Sequence, residues 1–372
     1  MSQNTNSTDL LFNSSKSNPS FVFMNGLMED PDITEIVING HTSIFYMSAS
    51  KGKVRVPQQI FSGKPQYIEW LDNLLSYTDS GFTSVAKAQS HVIEGSFTQG
   101  IEGSLHICTK EITRGEPYVT IRKQPDNFIT LDAMVAQKLM SPEIAAFLKQ
   151  AVRGGLNIVI SGGSGAGKTT LARALAHYIP PDDRIVTVEE IDELRLIKRL
   201  PNAVSLTTFV ERDEHGKTIR AVSLEDLVRE VLRMRAQRIW VGEVRGREAY
   251  ALVKACNSGH DGSLTTIHAD DGAAAAKQLV TYVMEGNLSE EVARDQVSRA
   301  FHIVIQLNRL NPTTRRITEI TELEQVREGT EQRRNPLFSY DYYNDNWVRE
   351  GHPTARVLTA LTRNGVNYTS DY

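Results

Sequence analysis

The stretch Asn157-Ile158-Val159-Ile160-Ser161 runs directly into Gly162-Gly163-Ser164-Gly165-Ala166-Gly167-Lys168-Thr169, and residues with helical spacing follow. An apolar run of the buried-strand type, a loop of pattern G-x-x-x-x-G-K-[ST] and then a helix form a combination that few folds accommodate. Glycines let such a loop wrap closely, with backbone N–H groups pointing inward. The helix N-terminus adds a potential that favours anions. Lys168 brings an ammonium to the β- and γ-phosphates of a nucleotide, and the Thr169 hydroxyl suits Mg²⁺. Thr170 falls in the first helical turn, near the α-phosphate. A glycine-rich turn that merely contains Gly-Lys-Thr lacks the flanking strand and helix. Gly162, Gly163, Ser164, Gly165, Ala166, Gly167, Lys168, Thr169 and Thr170 are therefore read as a phosphate loop for ATP.

Around this loop, short apolar runs alternate with amphipathic helices. The runs are 157–160, 184–188, 204–207, 238–241, 263–267 and 302–307, and the helices include 169–178, 224–233, 247–257 and 273–285. Such alternation predicts an α/β domain with a mainly parallel central sheet. The region before it differs. Ile33–Gly40 reads as a strand and turn with Ile44–Met47 as its hairpin partner, Tyr67–Tyr77 as a helix, and 91–93, 104–108 and 118–121 as further strands. We expect a tail over 1–18, an α+β domain over 19–122, an interdomain linker over 123–130, where Pro125, Asp126 and Asn127 are turn residues, and an ATPase domain with a C-terminal extension over 131–372. Ser141-Pro142-Glu143 is a helix start.

Composition narrows the function classes. A net charge of −4 argues against whole-protein attraction to nucleic acid. Two cysteines, Cys108 and Cys256, imply neither a disulfide framework nor a zinc site. No apolar run reaches the ~18 residues of a membrane span, and the Ser- and Asn-rich start lacks signal-peptide character. A cytoplasmic protein with at most peripheral membrane association is expected.

Hydrolysis needs an acid at the end of a nearby strand, to hold Mg²⁺ through water or to polarise the attacking water. Arg238-Ile239-Trp240-Val241-Gly242-Glu243 supplies one in Glu243, and Gly242 allows close approach. A second strand, Ile185–Val188, ends in Glu189-Glu190. Strand side chains alternate, so one of the two points into the site, and we favour Glu189.

The order of these segments, closed by Gly259-His260-Asp261-Gly262-Ser263-Leu264-Thr265-Thr266-Ile267-His268-Ala269, resembles the secretion or traffic ATPases of type II secretion, type IV pili and type IV secretion. Their Walker A, Asp-box, Walker B and His-box motifs correspond to Gly162–Thr169, Glu189–Glu190, Val241–Glu243 and Gly259–His268. The wording of the last motif is nearest the Tad/Cpa-type pilus ATPases, with conjugation ATPases second. The resemblance implies a RecA-like ATPase domain, a homohexameric motor using ATP and Mg²⁺, peripheral at the inner face of the cell membrane, with inner-membrane platform proteins as partners and no direct nucleic acid. Hydrolysis would move the two domains about the linker. It implies catalytic roles for Glu243, Glu189, Lys168, Arg245 and His268, nucleotide contacts from Arg122 and His260, and Mg²⁺ contacts from Thr169 and, through water, Glu243.

Three departures stand out: Ala236-Gln237 where Pro-Asp is usual, Glu190 where the second Asp-box acid is Asp, and Leu105 where an arginine is common. Lys110 or Arg114 could replace that arginine. His260 and His268 are read either as buried core histidines or as γ-phosphate sensors. Arg233, Arg235 and Arg238 are a solvated face or an interface ion-pair set. The aromatic run Tyr340, Tyr342, Tyr343, Trp347 packs on the domain or stacks bases. Besides the motor, a helicase-like translocase and a nucleotide-gated regulatory subunit with little turnover stay open.

Overall fold

The computed structural model describes residues 18–88, 90–98, 101, 103–113, 115–123, 128–212, 218–325 and 333–369. Residues 1–17 of the expected tail, 124–127 of the expected linker and Arg114 lie outside these. The chain divides into two compact units, Met1–Asn127 with Glu211–Ile219, and Phe128–Val210 with Arg220–Tyr372.

The first unit contains α1 (Pro19–Glu29), β1 (Ile33–Asn39), β2 (Ile44–Ser48), β3 (Gly52–Arg55), α2 (Lys64–Leu75), β4 (Val92–Ser96), β5 (Gly103–Cys108), α3 (Lys110–Thr113) and β6 (Tyr118–Lys123). The strands form an antiparallel sheet in the order β3-β2-β1-β6-β5-β4. Alternate residues such as Ile36, Ile38, Ile107 and Ile121 face a core shared with Met24 of α1 and Trp70, Leu71 and Leu74 of α2. Pro19 at the first turn and the Asn18 side chain, which accepts from Ser20 N–H at 3.1 Å, start α1. Leu105 is 1% exposed in that core. Lys123 ends β6, and Thr130 caps α4 (Leu131–Ala136) of the second unit, so both ends of the expected linker belong to regular elements.

The chain continues with α5 (Pro142–Arg153), β7 (Ile158–Gly162), α6 (Lys168–Ala176), β8 (Ile185–Glu189), β9 (Ala203–Thr207), the ribbon β10 (Phe209–Arg212) and β11 (Thr218–Val222), of which Glu211–Ile219 is grouped with the first unit, α7 (Leu224–Val231), β12 (Arg238–Val241), α8 (Glu248–Cys256), β13 (Leu264–Ile267), α9 (Gly272–Met284), α10 (Glu290–Ala300), β14 (Ile303–Arg309), β15 (Arg315–Leu323), β16 (Arg334–Asp341), β17 (Asn346–Arg349) and α11 (Ala355–Arg363). The nine-stranded sheet of the second unit runs β17-β16-β15-β14-β7-β13-β12-β8-β9. The six strands from β14 to β9 are parallel, and β15, β16 and β17 extend the sheet antiparallel.

The central parallel strands β7, β8, β12 and β13 are buried on both faces, which is why they read as largely apolar runs without polar alternation. Ile158, Ile160, Ile185, Trp240 and Leu264 enter one core with α4, α5, α6 and α11. Their neighbours Val159, Val186, Val188, Ile239 and Val241 enter a second core with α7, α8, α9 and α10. This layering brings the C-terminal ends of β7, β13, β12 and β8 to one edge, where ligands of open α/β sheets bind.

Candidate nucleotide site at the sheet edge

The glycine loop leaves β7 at Gly162 and enters α6 at Lys168. Glycine is required at several points. Gly162 has φ +154°, and a side chain there would lie 2.3 Å from the Leu307 carbonyl oxygen, while Gly165 (φ +69°) and Gly167 (φ +103°) are left-handed. At Gly163 a side chain would meet nothing within 4 Å, so the loop is open there. Ser164 and Thr170 are exposed and Ala166 is buried. Lys168 is 8% exposed, and its ammonium donates to the carbonyls of Gly162 (2.8 Å) and Gly163 (3.2 Å). Burial lowers its pKa, an effect opposed by Glu243.

Glu243 was expected on a strand next to the phosphate loop. The sheet order is β7-β13-β12, so β13 intervenes and sets His268, just past its end, between the two. His268 Nδ1 lies 3.4 Å from Lys168 Nζ, and its Nε2 lies 3.0 Å from Glu243 Oε1. An ammonium has donors only, so Nδ1 accepts, and Nε2–H donates to the carboxylate. Burial and the nearby Lys168 lower the His268 pKa, in keeping with this neutral form. Arg245 holds the same carboxylate with Nε on Oε1 (3.0 Å) and Nη2 on Oε2 (3.1 Å), and its Nη1 lies 3.6 Å from Glu190. Lys168, His268, Glu243 and Arg245 thus form a continuous polar chain.

The Asp-box carboxylates divide differently from expectation. Glu189 is 4% exposed and accepts from Glu193 N–H (3.2 Å) and Leu194 N–H (3.2 and 3.3 Å). Burial raises its pKa well above the usual range. Its oxygens serve the following loop. The acid that reaches Thr169 is Glu193, whose Oε2 accepts from Thr169 Oγ1 at 3.3 Å. Sequence reasoning missed Glu193. The available signal was the acid-rich run Glu189-Glu190-Ile191-Asp192-Glu193.

His260 does not belong at this edge. It precedes β13, where Ser263 N–H donates to Asn157 Oδ1 just ahead of β7 (2.8 Å), and its Nδ1 lies 3.0 Å from the Ala255 carbonyl oxygen. The length of β13 separates it from His268, so the structure does not bring His260 together with the other expected site residues. Arg122 is an exposed residue of β6 in the first unit. Arg238, by contrast, is 4% exposed and tethers β12 through Asp183 (Nε, 2.7 Å) and the Val152 carbonyl (Nη1, 2.7 Å). Arg233 pairs with Glu230. Tyr340 is buried and Trp347 donates to the Ile317 carbonyl at 2.7 Å, whereas Tyr343 is 95% exposed.

The residues present fit Mg²⁺. The Thr169 hydroxyl and the Glu193 carboxylate are adjacent hard oxygen donors beside an open glycine cradle. Mg²⁺ typically takes one or two protein oxygens and completes its shell with phosphates and water.

Residues 103–342 match the family described as type II/IV secretion system protein. The chain is 35% identical over 214 residues to the conjugal transfer protein TrbB of Rhizobium radiobacter, covering 57% of this chain and 62% of that relative. It is 28% identical over 308 residues to the probable conjugal transfer protein TrbB of Sinorhizobium fredii, covering 81% of this chain and 86% of that one. Among solved structures, the Legionella pneumophila ATPase DotB superposes with a TM-score of 0.55 at 19% identity, covering 94% of this chain and 88% of that one, a likeness of fold. Among the described residues, no helix is long and apolar enough to cross a membrane.

Proposed function

Since this chain belongs to the type II/IV secretion system protein family, we propose that it is an ATP-hydrolysing motor of a secretion machine, with a RecA-like second unit. The observation that carries the reading is the chain Lys168–His268–Glu243–Arg245 beside the glycine cradle. In this reading the loop amides and Lys168 bind the β- and γ-phosphates, and Thr169 and Glu193 hold Mg²⁺. Bound Mg²⁺ neutralises phosphate charge. Glu243 orients the water for in-line attack. Both of its oxygens are covered by Arg245, an exposed side chain two residues away. A γ-phosphate that draws Arg245 to itself would free Glu243 for water and place a guanidinium on the transition-state charge. His268 would report the phosphate state to the carboxylate through its two ring nitrogens.

Arg122 is proposed to reach the nucleotide from the first unit, and relative motion of the units is the proposed output. A homohexamer, peripheral at the inner membrane face and working on membrane platform proteins without direct nucleic-acid contact, completes the proposal. Of the two branches raised by the motifs, the names of the relatives, both conjugal transfer proteins, support the conjugation-type machine over the Tad-type pilus.

The test is steady-state ATP hydrolysis by the purified chain, Glu243→Gln and Lys168→Ala, with oligomer mass recorded on the same samples. Turnover by a hexameric wild type and loss of at least about a hundredfold in both variants supports the motor. Tight ATP binding without turnover would instead favour a nucleotide-gated regulatory subunit.

A further inference from the structure

Two cations at the glycine loop have no task in the scheme above. β14 and β15 join through a tight turn in which Leu310 N–H donates to the Thr314 carbonyl (2.9 Å) and Asn311 Oδ1 accepts from Thr313 N–H (3.0 Å) and Thr314 N–H (2.8 Å). This register sets Arg309 directly opposite Arg315. Opposed like charges repel. Among the described residues neither is paired with a carboxylate. Arg309 donates to the carbonyls of Asn311 (3.3 Å) and Pro312 (2.7 Å), and Arg315 Nε donates to the Gly165 carbonyl at 2.9 Å.

Both side chains border the loop. A side chain on Gly165 would lie 3.7 Å from Arg309 Nη1, and one on Gly167 would lie 3.6 Å from Arg315 Cδ. The Gly165 carbonyl and the Ala166 N–H belong to one peptide group. A guanidinium on the oxygen fixes the plane of that group and polarises its N–H. Two uncompensated cations beside a phosphate loop favour a ligand with several negative charges. Burial and the facing Arg309 both lower the Arg315 pKa, the mark of a cation held where its charge lacks a counter-charge.

We propose that Arg315, assisted by Arg309, is a positioning residue for the polyphosphate of the nucleotide: it braces the Gly165–Ala166 peptide, whose N–H donates within the loop to the Gly163 carbonyl (3.3 Å), and supplies positive charge at the rim of the loop. The inference rests on the reading of the loop as a nucleotide site.

The experiment is titration calorimetry of the full chain with MgADP and with AMP, on wild type, Lys168→Ala, Arg315→Gln, Arg315→Lys and Arg309→Gln, with melting temperatures alongside. Arg315→Gln should weaken MgADP about tenfold, the factor carried by loss of one charge-assisted hydrogen bond, with little change for AMP. Arg315→Lys should fall between, because the charge stays and the planar fork is lost. Arg309→Gln should weaken MgADP about threefold. In hydrolysis, KM should rise by the same factors while kcat changes less than about twofold, the split expected of uniform binding. A merely structural staple would lower the melting temperature and the active fraction, and leave KM where it was. Unchanged MgADP affinity in Arg315→Gln overturns the inference. Should that variant not fold, unchanged affinity in the exposed Arg309→Gln overturns it equally. If wild type does not bind MgADP, or Lys168→Ala binds as tightly, the nucleotide reading itself has failed and the inference falls with it.

Discussion

Gly242, between the end of β12 and Glu243, offers a sharp test of the site. Its N–H donates to the Val188 carbonyl at 2.9 Å, and its own carbonyl accepts from Thr266 Oγ1 at 2.8 Å. A methyl group on Gly242 would lie 2.8 Å from Glu189 Cγ and 2.9 Å from its Oε1. Glu189 is pinned by backbone amides and is 4% exposed, so it has nowhere to swing. Overpacking of this kind costs about 1–3 kcal/mol. The smaller entropy loss of alanine on folding returns roughly 0.4–1 kcal/mol. Gly242→Ala should therefore destabilise the second unit by about 1–2 kcal/mol. It should also lower kcat at least about tenfold, since a misplacement near 1 Å next to Glu243 is costly. In a Glu189→Ala background the clashing atoms are gone, and the same substitution should stabilise by the roughly 0.4–1 kcal/mol of the entropy gain alone. The interaction energy is then about 2 kcal/mol. Urea unfolding of the four proteins measures it, followed by the fluorescence of buried Trp240 with Trp70 and Trp347 replaced by Phe. That probe confines the readout to the unit concerned. An equal cost of Gly242→Ala with and without Glu189 would refute the argument.

Three further outcomes follow from the same geometry. Arg238→Met should destabilise the second unit by roughly 3 kcal/mol, because it leaves Asp183 and the Val152 carbonyl without their guanidinium; a loss under about 0.5 kcal/mol in urea unfolding would remove Arg238 as a tether. His302 is buried, accepts from Asn157 N–H at 3.1 Å, and has its pKa pushed down to about 3 by burial and by Arg356. The unfolded chain takes up a proton below about pH 6.5 that the folded state refuses, so this contribution is whole above that pH and is lost towards pH 3, at up to about 1.4 kcal/mol per pH unit. His302→Gln should flatten the fall in melting temperature between pH 7 and pH 4, and identical slopes would exclude the account. Glu193→Gln should raise the Mg²⁺ concentration needed for half-maximal hydrolysis about tenfold, whereas Glu189→Gln should leave it within about twofold; Mg²⁺ titrations of the two variants decide between the carboxylates.

What could be read in advance, and what could not, follows from which interactions are local in the chain. The phosphate loop was legible because its chemistry is contiguous, with a strand, glycines of special φ, a lysine and a threonine in one run. The parallel strands were legible because burial on both faces leaves no polar alternation. Helix α1 is hard to read from the sequence, because the unbroken apolar run Phe21–Met24 masks the helical spacing of its buried residues Phe21, Met24, Leu27 and Met28. Arg238 looked like part of a surface run because its partners, Asp183 and Val152, lie 55 and 86 residues away. His260 and His268 share one motif, yet β13 sends them to opposite ends of the sheet. The same strand explains the centre of the site. No motif states that β13 lies between β7 and β12; the helical crossovers set that order. Because it does, His268 lies within reach of both Lys168 and Glu243, and in the proposed mechanism a movement of the loop ammonium towards phosphate alters the hydrogen bonding of the imidazole before it alters the carboxylate. In the proposed mechanism, the path from phosphate binding to water activation is thus a property of strand order, whereas the groups that begin and end it are properties of the sequence.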